Sequence, residues 1–425
     1  MLSSDRMRQI LTEQRHDFLE RPLGVRRSAL DELVEKISFP HTIVITGLRR
    51  CGKSTVLRQL VEELGGQNFF YINFEDERLL DLEAGDFQKL HEAQIELFGE
   101  SRLFLIDEVQ NIPRFEMFVR RLMEQGYKFY LTGSNARLLS SEISTKLTGR
   151  HLDVMIRPFS FTEFLEFRKY QITNDSIYTS EGRMKLKCLF EEYLLKGGMP
   201  EYLTYGKLEM VLRNYEDIVL KDISIRHGVE NVKKLRDLYR MLITNFSNPF
   251  TYRSLERSLE FASWNTHQKY VSYLEESYLG SVLNMFSHST KKQLVNKKKF
   301  YVSDNGFIEA VSTRMTNDRG RLIENLVCRV LEERNDVFYS HTKNECDFVA
   351  LARDTNRPKV FQCTWELTPL NRKREVNGLV EAAKQLGTDH GTILTIDQDE
   401  EFEKDGIKVF VTPVWIWLLR YYGSL

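Results

Sequence analysis

The sequence predicts an α/β protein that begins with a five-stranded parallel sheet. Helical stretches separate short apolar stretches rich in β-branched residues, which lie near 42–46, 69–74, 103–106, 129–132 and 152–157. Strands that alternate with helices form parallel sheets, because each helix carries the chain back to the start of the next strand. Ligands of such sheets bind at the carboxyl ends of the strands, so we expect the functional residues of this region there.

Length and composition are typical of a folded soluble protein. The chain has 425 residues, enough for roughly two to four domains, because single cores rarely exceed about 250–300 residues. Its formal net charge of −1 gives no overall positive field, so a nucleic-acid surface would have to be a local patch. The five cysteines form no CxxC pair, no apolar run approaches about 18 residues, and the N-terminal segment is polar. We therefore expect a cytoplasmic protein with reduced thiols and no membrane segment.

The strongest motif follows the first predicted strand. Residues 47–54 read GLRRCGKS, which fits the phosphate-binding pattern GxxxxGKS/T between a strand and a helix. Gly47 and Gly52 let the backbone curl so that its N–H groups face phosphates at a helix N-terminus. Lys53 supplies a charge for the β- and γ-phosphates, and Ser54 supplies a hydroxyl ligand for Mg²⁺. The motif predicts a P-loop NTPase sheet that binds ATP through Gly47, Arg50, Cys51, Gly52, Lys53, Ser54 and Thr55.

A second motif ends the third predicted strand. Four apolar residues, 103–106, lead into Asp107 and Glu108. An acid pair at the end of a buried strand suits a Mg²⁺ ligand, Asp107, beside a carboxylate that orients the attacking water, Glu108. Acids at strand ends are common at protein surfaces, but together with the phosphate loop the pair predicts a Mg²⁺-dependent nucleoside triphosphatase.

Two further residues have both a catalytic and a structural interpretation. Ser134 follows the fourth predicted strand and could sense the γ-phosphate, or it could belong to an ordinary Gly-Ser turn. Arg150 precedes the fifth strand and could reach the nucleotide of a neighbouring subunit in a homo-oligomer, or it could be a surface arginine. For Arg49 and Arg50, inside the loop, contact with nucleotide and simple exposure both stay open.

Beyond these motifs, the chain resembles the AAA-type ATPases of bacteria and archaea that carry a C-terminal DUF4143 domain. The matching segments are TGLRRCGKST, YINFED, LFLIDEVQ, LTGSNARLL, LTGR, RPFSFTEF, LLKGGMPEYL, YVSDNGF, GRLIENLV and NECDFV. The resemblance implies an ATPase core (1–157), a helical lid (158–235), a winged-helix domain (236–312) and an endonuclease-like domain (313–425). It also implies the catalytic roles given above and favours the interpretation of Arg150 as an arginine finger.

The winged-helix region offers a surface for DNA. Its third helix is expected to present His267, Gln268 and Lys269 outward, and a lysine-rich segment follows it. Lysines that face a duplex bind its phosphates. The predicted nucleic-acid contacts are Lys269, Lys297, Lys298 and Lys299. A solvated hairpin and a protein-docking surface stay open as alternatives.

The C-terminal region carries an incomplete nuclease pattern. Endonuclease-like folds hold divalent ions with a helix acid, a strand aspartate and a Glu-x-Lys pair. Glu324 and Asp347 fit the first two places, but Gln362 and Thr364 occupy the other two. Glutamine removes one negative charge, threonine cannot supply the cation, and no neighbouring lysine shares that face of the strand. We therefore expect a degenerate nuclease frame.

Together these patterns predict an ATP-hydrolysing switch or motor that uses Mg²⁺, with DNA as a candidate target and a protein partner of unknown kind as another. Two alternatives stay open. One is a nucleotide-gated DNA- or protein-binding module with little hydrolysis, and the other is an active metal-dependent nuclease.

Overall fold

The computed structural model describes residues 3–133, 150–259, 264–312 and 318–424. The chain divides into two compact units. The first contains Met1–Pro158 together with Glu276–Tyr278, and the second contains Phe159–Glu275 and Leu279–Leu425. Among the described residues, no helix is both long enough and apolar enough to pass through a lipid bilayer.

The first unit is built on a sheet of five parallel strands. These strands are β1 (Thr42–Thr46), β2 (Phe70–Asn73), β3 (Leu103–Asp107), β4 (Lys128–Thr132) and β5 (His151–Met155). Their order across the sheet is β2-β3-β4-β1-β5. Each strand lies where the sequence predicts one, which confirms the parallel sheet. Because all strands run the same way, the residues that follow β1, β3 and β4 meet at one edge.

The helices of the first unit precede or connect its strands. They are α1 (Ser4–Glu20), α2 (Ala29–Glu35), α3 (Lys53–Glu63), α4 (Phe87–Phe98) and α5 (Phe115–Glu124), with short 3-10 turns at Lys36–Ser38, Glu77–Leu79, Ala84–Asp86 and Val109–Asn111. Helix α1 begins after Ser3, whose side chain accepts a hydrogen bond from the Arg6 N–H. It packs against β2 and α4, and Phe18 near its end stacks on Tyr71 of β2 with ring centroids 4.0 Å apart. The end of α1 therefore lies close to the strand next to β3.

The second unit combines many short helices with two sheets. Its helices are α6 (Phe161–Phe167), α7 (Asn174–Tyr178), α8 (Ser180–Lys196), α9 (Pro200–Tyr205), α10 (Leu208–Asp217), a π-helix (Ile218–Ile225), α11 (Val232–Thr244), α12 (Tyr252–Leu259), α13 (Trp264–Glu276), α14 (Thr290–Val295), α15 (Asn305–Val311), α16 (Arg319–Leu331), α17 (Arg372–Leu386) and α18 (Val414–Tyr421). Its strands are β6 (Pro249–Phe250), β7 (Gly280–Asn284), β8 (Lys298–Val302), β9 (Asn335–His341), β10 (Glu345–Ala352), β11 (Pro358–Cys363), β12 (His390–Thr395), β13 (Glu400–Lys404) and β14 (Ile407–Pro413).

The two sheets of the second unit are joined at one edge. The smaller is antiparallel with the order β6-β8-β7, and the larger is mixed with the order β13-β14-β12-β11-β10-β9. Met285, directly after β7, forms a bridge with Tyr339 on β9, and the Phe286 N–H donates to the Tyr339 carbonyl oxygen at 2.7 Å. The mixed sheet confirms the additional α/β region. The division of this unit into lid, winged-helix and endonuclease-like domains stays a prediction.

Four of the motifs that carry the resemblance meet inside the second unit. The Phe159 N–H donates to the Gly198 carbonyl oxygen at 2.8 Å, and the Gly198 N–H donates to Asp304 Oδ2 at 2.6 Å. Beside them, Asn325 Nδ2 donates to Asn305 Oδ1 at 2.8 Å. These five residues, here called the junction, come from RPFSFTEF, LLKGGMPEYL, YVSDNGF and GRLIENLV. The four motifs therefore build the framework of this unit.

Close approach requires glycine at the junction. A Cβ on Gly197 would lie 2.0 Å from Asp304 Oδ1, and a Cβ on Gly198 would lie 2.2 Å from the Phe159 carbonyl oxygen. Burial raises the pKa of Asp304 to about 6, although the N–H groups of Gly198 and Gly306 act in the opposite direction. The acid that joins these motifs thus has a pKa well above the usual value of an aspartate.

Candidate functional site

The loop between β1 and α3 has a tightly curled backbone. Gly47, Arg50 and Gly52 have φ angles of 138°, 61° and 104°, in the region that favours glycine. A Cβ on Gly47 would lie 2.0 Å from the Ile156 carbonyl oxygen, so no larger residue fits there. Helix α3 begins at Lys53, directly after Gly52. The free N–H groups of its first turn therefore border the loop, which is the geometry of an anion site.

Lys53 is folded onto this loop. Its side chain is buried, and Nζ donates to the carbonyl oxygens of Gly47 and Leu48 at 3.1 Å each. Ser54 and Thr55 follow in the first turn of α3 and are half-buried. The structure thus brings the predicted ammonium and hydroxyl groups to the same turn of the chain.

The remaining side chains of the loop have other partners. Cys51 is fully buried, and its Sγ donates to the Ile156 carbonyl oxygen at 3.2 Å. Arg49 forms an ion pair with Glu75 at 3.0 Å, and Arg50 is exposed. Cys51 can therefore serve a ligand only through its backbone.

Asp107 ends β3 in an almost fully buried position. Its Oδ1 accepts a short hydrogen bond from Thr132 Oγ1 at the end of β4. Its Oδ2 accepts a hydrogen bond from the Tyr71 hydroxyl at 3.3 Å and lies 3.8 Å from Arg21 Nη1. Sequence reasoning missed all three partners. A polar residue at the end of a neighbouring strand was a signal for Thr132, but nothing local pointed to Tyr71 or Arg21.

Glu108 adopts a left-handed backbone conformation, with φ at 51°. This conformation is uncommon for residues other than glycine and clusters at functional positions. The Glu108 N–H donates to Thr132 Oγ1 at 3.0 Å, and the carboxylate accepts a hydrogen bond from Gln110. Burial raises the pKa of Glu108, and the Lys53 ammonium partly offsets this rise. Lys53 and Glu108 are therefore within electrostatic reach of each other.

These residues fit a nucleoside triphosphate with Mg²⁺. The curled loop and the start of α3 offer backbone donors to phosphates, and Lys53 adds a buried positive charge. Asp107 and Ser54 offer the oxygen ligands that Mg²⁺ prefers. Glu108 follows Asp107 directly, and burial raises the pKa of its carboxyl.

Arg150 lies at the amino ends of the strands, opposite the phosphate loop. It directly precedes β5, it is exposed, and its carbonyl oxygen accepts a hydrogen bond from the Thr42 N–H at the start of β1 at 3.1 Å. Strand β1 spans five residues, so its two ends are about 13 Å apart. Arg150 is thus separated from the phosphate loop of its own chain by the length of a strand. Ser134 lies outside the described residues.

The structure corrects two of the four predicted nucleic-acid contacts. Lys269 and Lys297 are exposed, but Lys298 and Lys299 are only 7% and 1% exposed. The reason is that β8 is the central strand of its sheet, and every one of its residues is buried. Lys298 Nζ donates to Asn284 Oδ1 on the neighbouring strand β7 at 2.5 Å. His267, expected to face outward, is also fully buried.

Lys299 completes a buried group of charges. Its Nζ lies 2.8 Å from Glu345 Oε1, 3.0 Å from Glu324 Oε1 and 3.8 Å from Asp347 Oδ1. These four residues are here called the lysine cluster. Tyr301, two residues along β8, donates its hydroxyl to Glu324 Oε1 at 2.6 Å. A lysine therefore does accompany the two acids, but it comes from β8 and not from β11, the strand on which the sequence places Gln362 and Thr364.

The other two residues of the nuclease pattern, Gln362 and Thr364, have different partners. Gln362 Oε1 accepts a hydrogen bond from the Asp347 N–H at 3.1 Å, and Gln362 Nε2 donates to Glu375 Oε2 at 2.6 Å. Thr364 Oγ1 donates to the Glu366 carbonyl oxygen at 3.2 Å, in the loop after β11. The structure thus places Gln362 against Asp347 and directs Thr364 to the loop.

Burial dominates the electrostatics of the lysine cluster. It raises the pKa of Asp347, with Glu324 adding to the rise and Lys299 opposing it. Burial also lowers the pKa of Lys299, but the three carboxylates outweigh this effect and the pKa is raised overall. Lys299 therefore stays charged. Within the described ranges, no group of three or more His, Cys, Asp or Glu side chains is arranged to hold a metal ion. The Lys299 ammonium lies within 4 Å of all three carboxylates and balances their charge.

Two family models match parts of the chain. The model of the AAA domain matches residues 40–165, which include the phosphate loop and the acid pair. The model of a domain of unknown function, DUF8612, matches residues 188–318. The resemblance in the sequence named DUF4143 for the C-terminal part, and that part of the resemblance stays unconfirmed.

Two relatives match over nearly the whole length. The uncharacterised protein MJ1544 of Methanocaldococcus jannaschii is 31% identical over 420 residues, which cover 94% of this chain and 93% of the relative. An uncharacterised protein of Haemophilus influenzae is 30% identical over 409 residues, which cover 92% of this chain and 98% of the relative.

The solved structures that match have lower sequence identity to the chain. The Walker-type ATPase PABY2304 of Pyrococcus abyssi is 18% identical with a TM-score of 0.40, over 69% of this chain and 99% of that chain. AMPPCP-bound DnaA from Aquifex aeolicus is 15% identical with a TM-score of 0.26, over 58% of this chain and 86% of that chain. With at least 30% identity to both relatives over more than nine-tenths of its length, the chain belongs to the protein family of MJ1544, and it carries an AAA domain at residues 40–165.

Proposed function

We propose that the chain is a Mg²⁺-dependent ATPase of the AAA type that works as a molecular switch or motor. The observation that carries the proposal is that the phosphate loop follows β1 and the acid pair lies at the end of β3, so both lie at the carboxyl ends of parallel strands of one sheet. A glycine-rich loop alone would support phosphate binding only. A loop that meets a buried aspartate and a second carboxylate supports hydrolysis.

Each residue has a separate task in this mechanism. The N–H groups of the loop and Lys53 bind the phosphates. Asp107, oriented by Thr132, would hold Mg²⁺ together with Ser54, and this ion would supply positive charge beside the phosphate oxygens. Glu108 orients the attacking water and accepts its proton. Its raised pKa brings it closer to neutral pH, where a general base works best.

A neighbouring subunit would complete the site. Arg150 lies a strand length away from its own loop, which supports a role at the nucleotide of an adjacent copy. An arginine supplied in this way is worth roughly 10³–10⁵ in rate. We therefore propose a homo-oligomer as the active form.

Turnover of Mg-ATP by the purified chain tests the proposal. Lys53→Ala should abolish nucleotide binding, whereas Glu108→Gln should keep binding and lose roughly 10²–10⁴ in turnover. Exposed residues of the same types supply the controls, because Lys89→Ala and Glu92→Gln should keep wild-type turnover. Turnover that survives either Lys53→Ala or Glu108→Gln unchanged would exclude this mechanism.

A nucleotide-gated module that binds DNA is the first alternative, and it now depends on Lys269 and Lys297, the exposed members of the predicted set. Binding to a labelled duplex at low salt tests it, since phosphate contacts weaken steeply as salt rises. The double variant Lys269→Glu and Lys297→Glu should lose binding, and Lys359→Glu, at another exposed site, should keep it. Equal affinity in all three proteins would remove DNA contact at this surface and leave protein docking.

One observation favours a second candidate function, metal-dependent cleavage of nucleic acid. The lysine cluster holds three acids and a lysine, and two of these acids, Glu324 and Asp347, occupy places of the endonuclease pattern. Supercoiled plasmid incubated with Mg²⁺ or Mn²⁺ tests this function. Cleavage should be lost in Asp347→Asn and kept in Asp336→Asn, an exposed control. Plasmid left intact by the wild-type chain would exclude this function, and the cluster would then be purely structural.

A further inference from the structure

A buried arginine outside the motifs donates a hydrogen bond to the backbone of the phosphate loop. Arg27 precedes α2 and is 4% exposed. Its Nη1 donates to the Cys51 carbonyl oxygen at 2.7 Å, and its Nη2 donates to the Arg157 carbonyl oxygen at 2.5 Å. The first acceptor belongs to the loop, and the second follows β5, the neighbour of β1 in the sheet. One guanidinium thus ties the loop to the chain beyond the adjacent strand.

The segment that carries Arg27 is itself fixed to α3. Gln59, a buried residue of α3, accepts a hydrogen bond from the Arg27 N–H at 3.2 Å. The same side chain donates to the carbonyl oxygens of Leu23 and Val25 at 2.6 Å each. These bonds hold the backbone of Arg27 against the helix whose N-terminus closes the loop. The guanidinium therefore reaches the loop from a defined position.

The bond to Cys51 determines which way one peptide group of the loop faces. In a trans peptide, the C=O and N–H groups point in opposite directions. Because the Cys51 carbonyl points at Arg27, the N–H of Gly52 points to the opposite face of the loop. Gly52 has no Cβ and has a φ of 104°, so no side chain at this position restricts the peptide. The orientation depends on the partner of the carbonyl.

We propose that Arg27 is a positioning residue for the binding of nucleotide phosphates, which acts by keeping the Gly52 N–H turned toward phosphate oxygens. This inference rests on the proposed nucleotide-binding function. Arginine suits the task because its planar fork carries several donors in fixed directions and stays charged at all relevant pH values. A lysine at the same position would carry its donors on a single nitrogen without this fixed fork, so it would hold the two carbonyls less rigidly.

Calorimetric titration with Mg-ATP and with Mg-ADP tests the proposal. Arg27→Met removes the donors and keeps an apolar stem, and its affinity for both nucleotides should fall by about tenfold, which is 1.4 kcal/mol at 25 °C. Both should weaken alike, because the loop serves phosphates that ATP and ADP share. The kcat at saturating Mg-ATP should change by less than about threefold, since Asp107 and Glu108 keep their partners. Arg27→Lys should show an intermediate affinity.

Two further variants separate the possible failures. Arg26→Gln is the matched control, because Arg26 is exposed and forms surface ion pairs with Asp31 and Glu63; it should bind nucleotide like the wild type. If wild type binds Mg-ATP no better than Lys53→Ala, the nucleotide site itself is wrong.

If Lys53→Ala fails to bind but Arg27→Met binds as tightly as wild type, only the role of Arg27 is wrong. A loss confined to kcat would overturn that role as well. Circular dichroism reports whether Arg27→Met is folded. If it is not, Arg27→Lys decides alone, and wild-type affinity in that variant overturns the proposal.

Discussion

Lys299→Met should destabilise the second unit strongly. The change removes the ammonium and leaves the carboxylates of Glu324, Glu345 and Asp347 facing one another in a largely buried place. Removing one partner from a buried ion pair costs roughly 3–5 kcal/mol, because the other charge stays buried without compensation. We expect the free energy of unfolding to fall by this amount.

The distances and exposures support the same magnitude. The contact with Glu324 is 3.0 Å long and that side chain is 11% exposed, whereas the contact with Glu345 is 2.8 Å long and that side chain is 33% exposed. A hydrogen bond between charged groups contributes roughly 1.5–3 kcal/mol, and water replaces part of the bond lost by Glu345. For a urea m-value of about 3 kcal/mol per M, the midpoint should fall by roughly 1 M or more.

Tryptophan fluorescence during urea unfolding measures this loss. The four tryptophans of the chain all lie in the second unit, at Trp264, Trp365, Trp415 and Trp417. Lys297→Met, at an exposed neighbour, is the control and should stay within about 0.5 kcal/mol of wild type. Adding Glu324→Gln to Lys299→Met should restore part of the loss, because one buried charge fewer is left unpaired. A midpoint for Lys299→Met within about 0.2 M of wild type would refute the reasoning.

Three further predictions concern other residues. Burial raises the pKa of Asp304 from 3.8 to about 6, so the folded state binds this proton more tightly than the unfolded chain. As pH falls from about 7.5 to about 5, the free energy of unfolding of wild type should therefore rise by about 1.4 kcal/mol relative to that of Asp304→Asn. Urea unfolding at both pH values measures the gain, and a constant difference would contradict it. Arg150→Ala and Glu108→Gln should each lack turnover alone but regain part of it when mixed; no regain would place Arg150 outside a neighbouring site. Gly198→Ala should destabilise the second unit by roughly 1–3 kcal/mol in the same fluorescence assay, because its Cβ would lie 2.2 Å from a carbonyl oxygen. Gly206→Ala, whose Cβ meets nothing within 4 Å, should cost about 1 kcal/mol or less, and equal losses would contradict the steric argument.

The parallel sheet and the nucleotide site could be predicted because the information for them is local. Strand β1, the loop GLRRCGKS and α3 are contiguous in the sequence, and the acid pair follows β3 directly. Parallel strands then bring Lys53, Asp107 and Glu108 to one edge whatever the connections between them. Local patterns therefore sufficed for the residues of the proposed chemistry.

The residues that position this chemistry could not be predicted in the same way. Thr132, Tyr71 and Arg21 reach Asp107 from β4, from β2 and from the end of α1. Which of them become neighbours depends on the strand order and on the packing of α1, and no motif encodes either. Arg27 is a similar case, because its acceptor at Arg157 lies 130 residues away in sequence.

Lys299 was assigned to the wrong environment for a different reason. A run of lysines usually lies at a solvated surface, and the nuclease pattern places its lysine two residues after Gln362, on the same strand. The central position of β8 overrides the first pattern, since both of its faces are covered. The contact between Lys299 and Glu324 could not be predicted from the sequence, because the two residues are separated by 25 residues and belong to different elements.

A truncation that removes the part of the second unit before residue 313 would take away the segment after β7 that pairs with β9. The bridge between Met285 and Tyr339 would be lost, and the outer strand would offer unpaired N–H and C=O groups to any other chain, which is a known route to aggregation. The same truncation would remove Lys299, the ammonium that pairs with the acids on α16 and β10. A protein truncated at this point should therefore be insoluble when it is expressed.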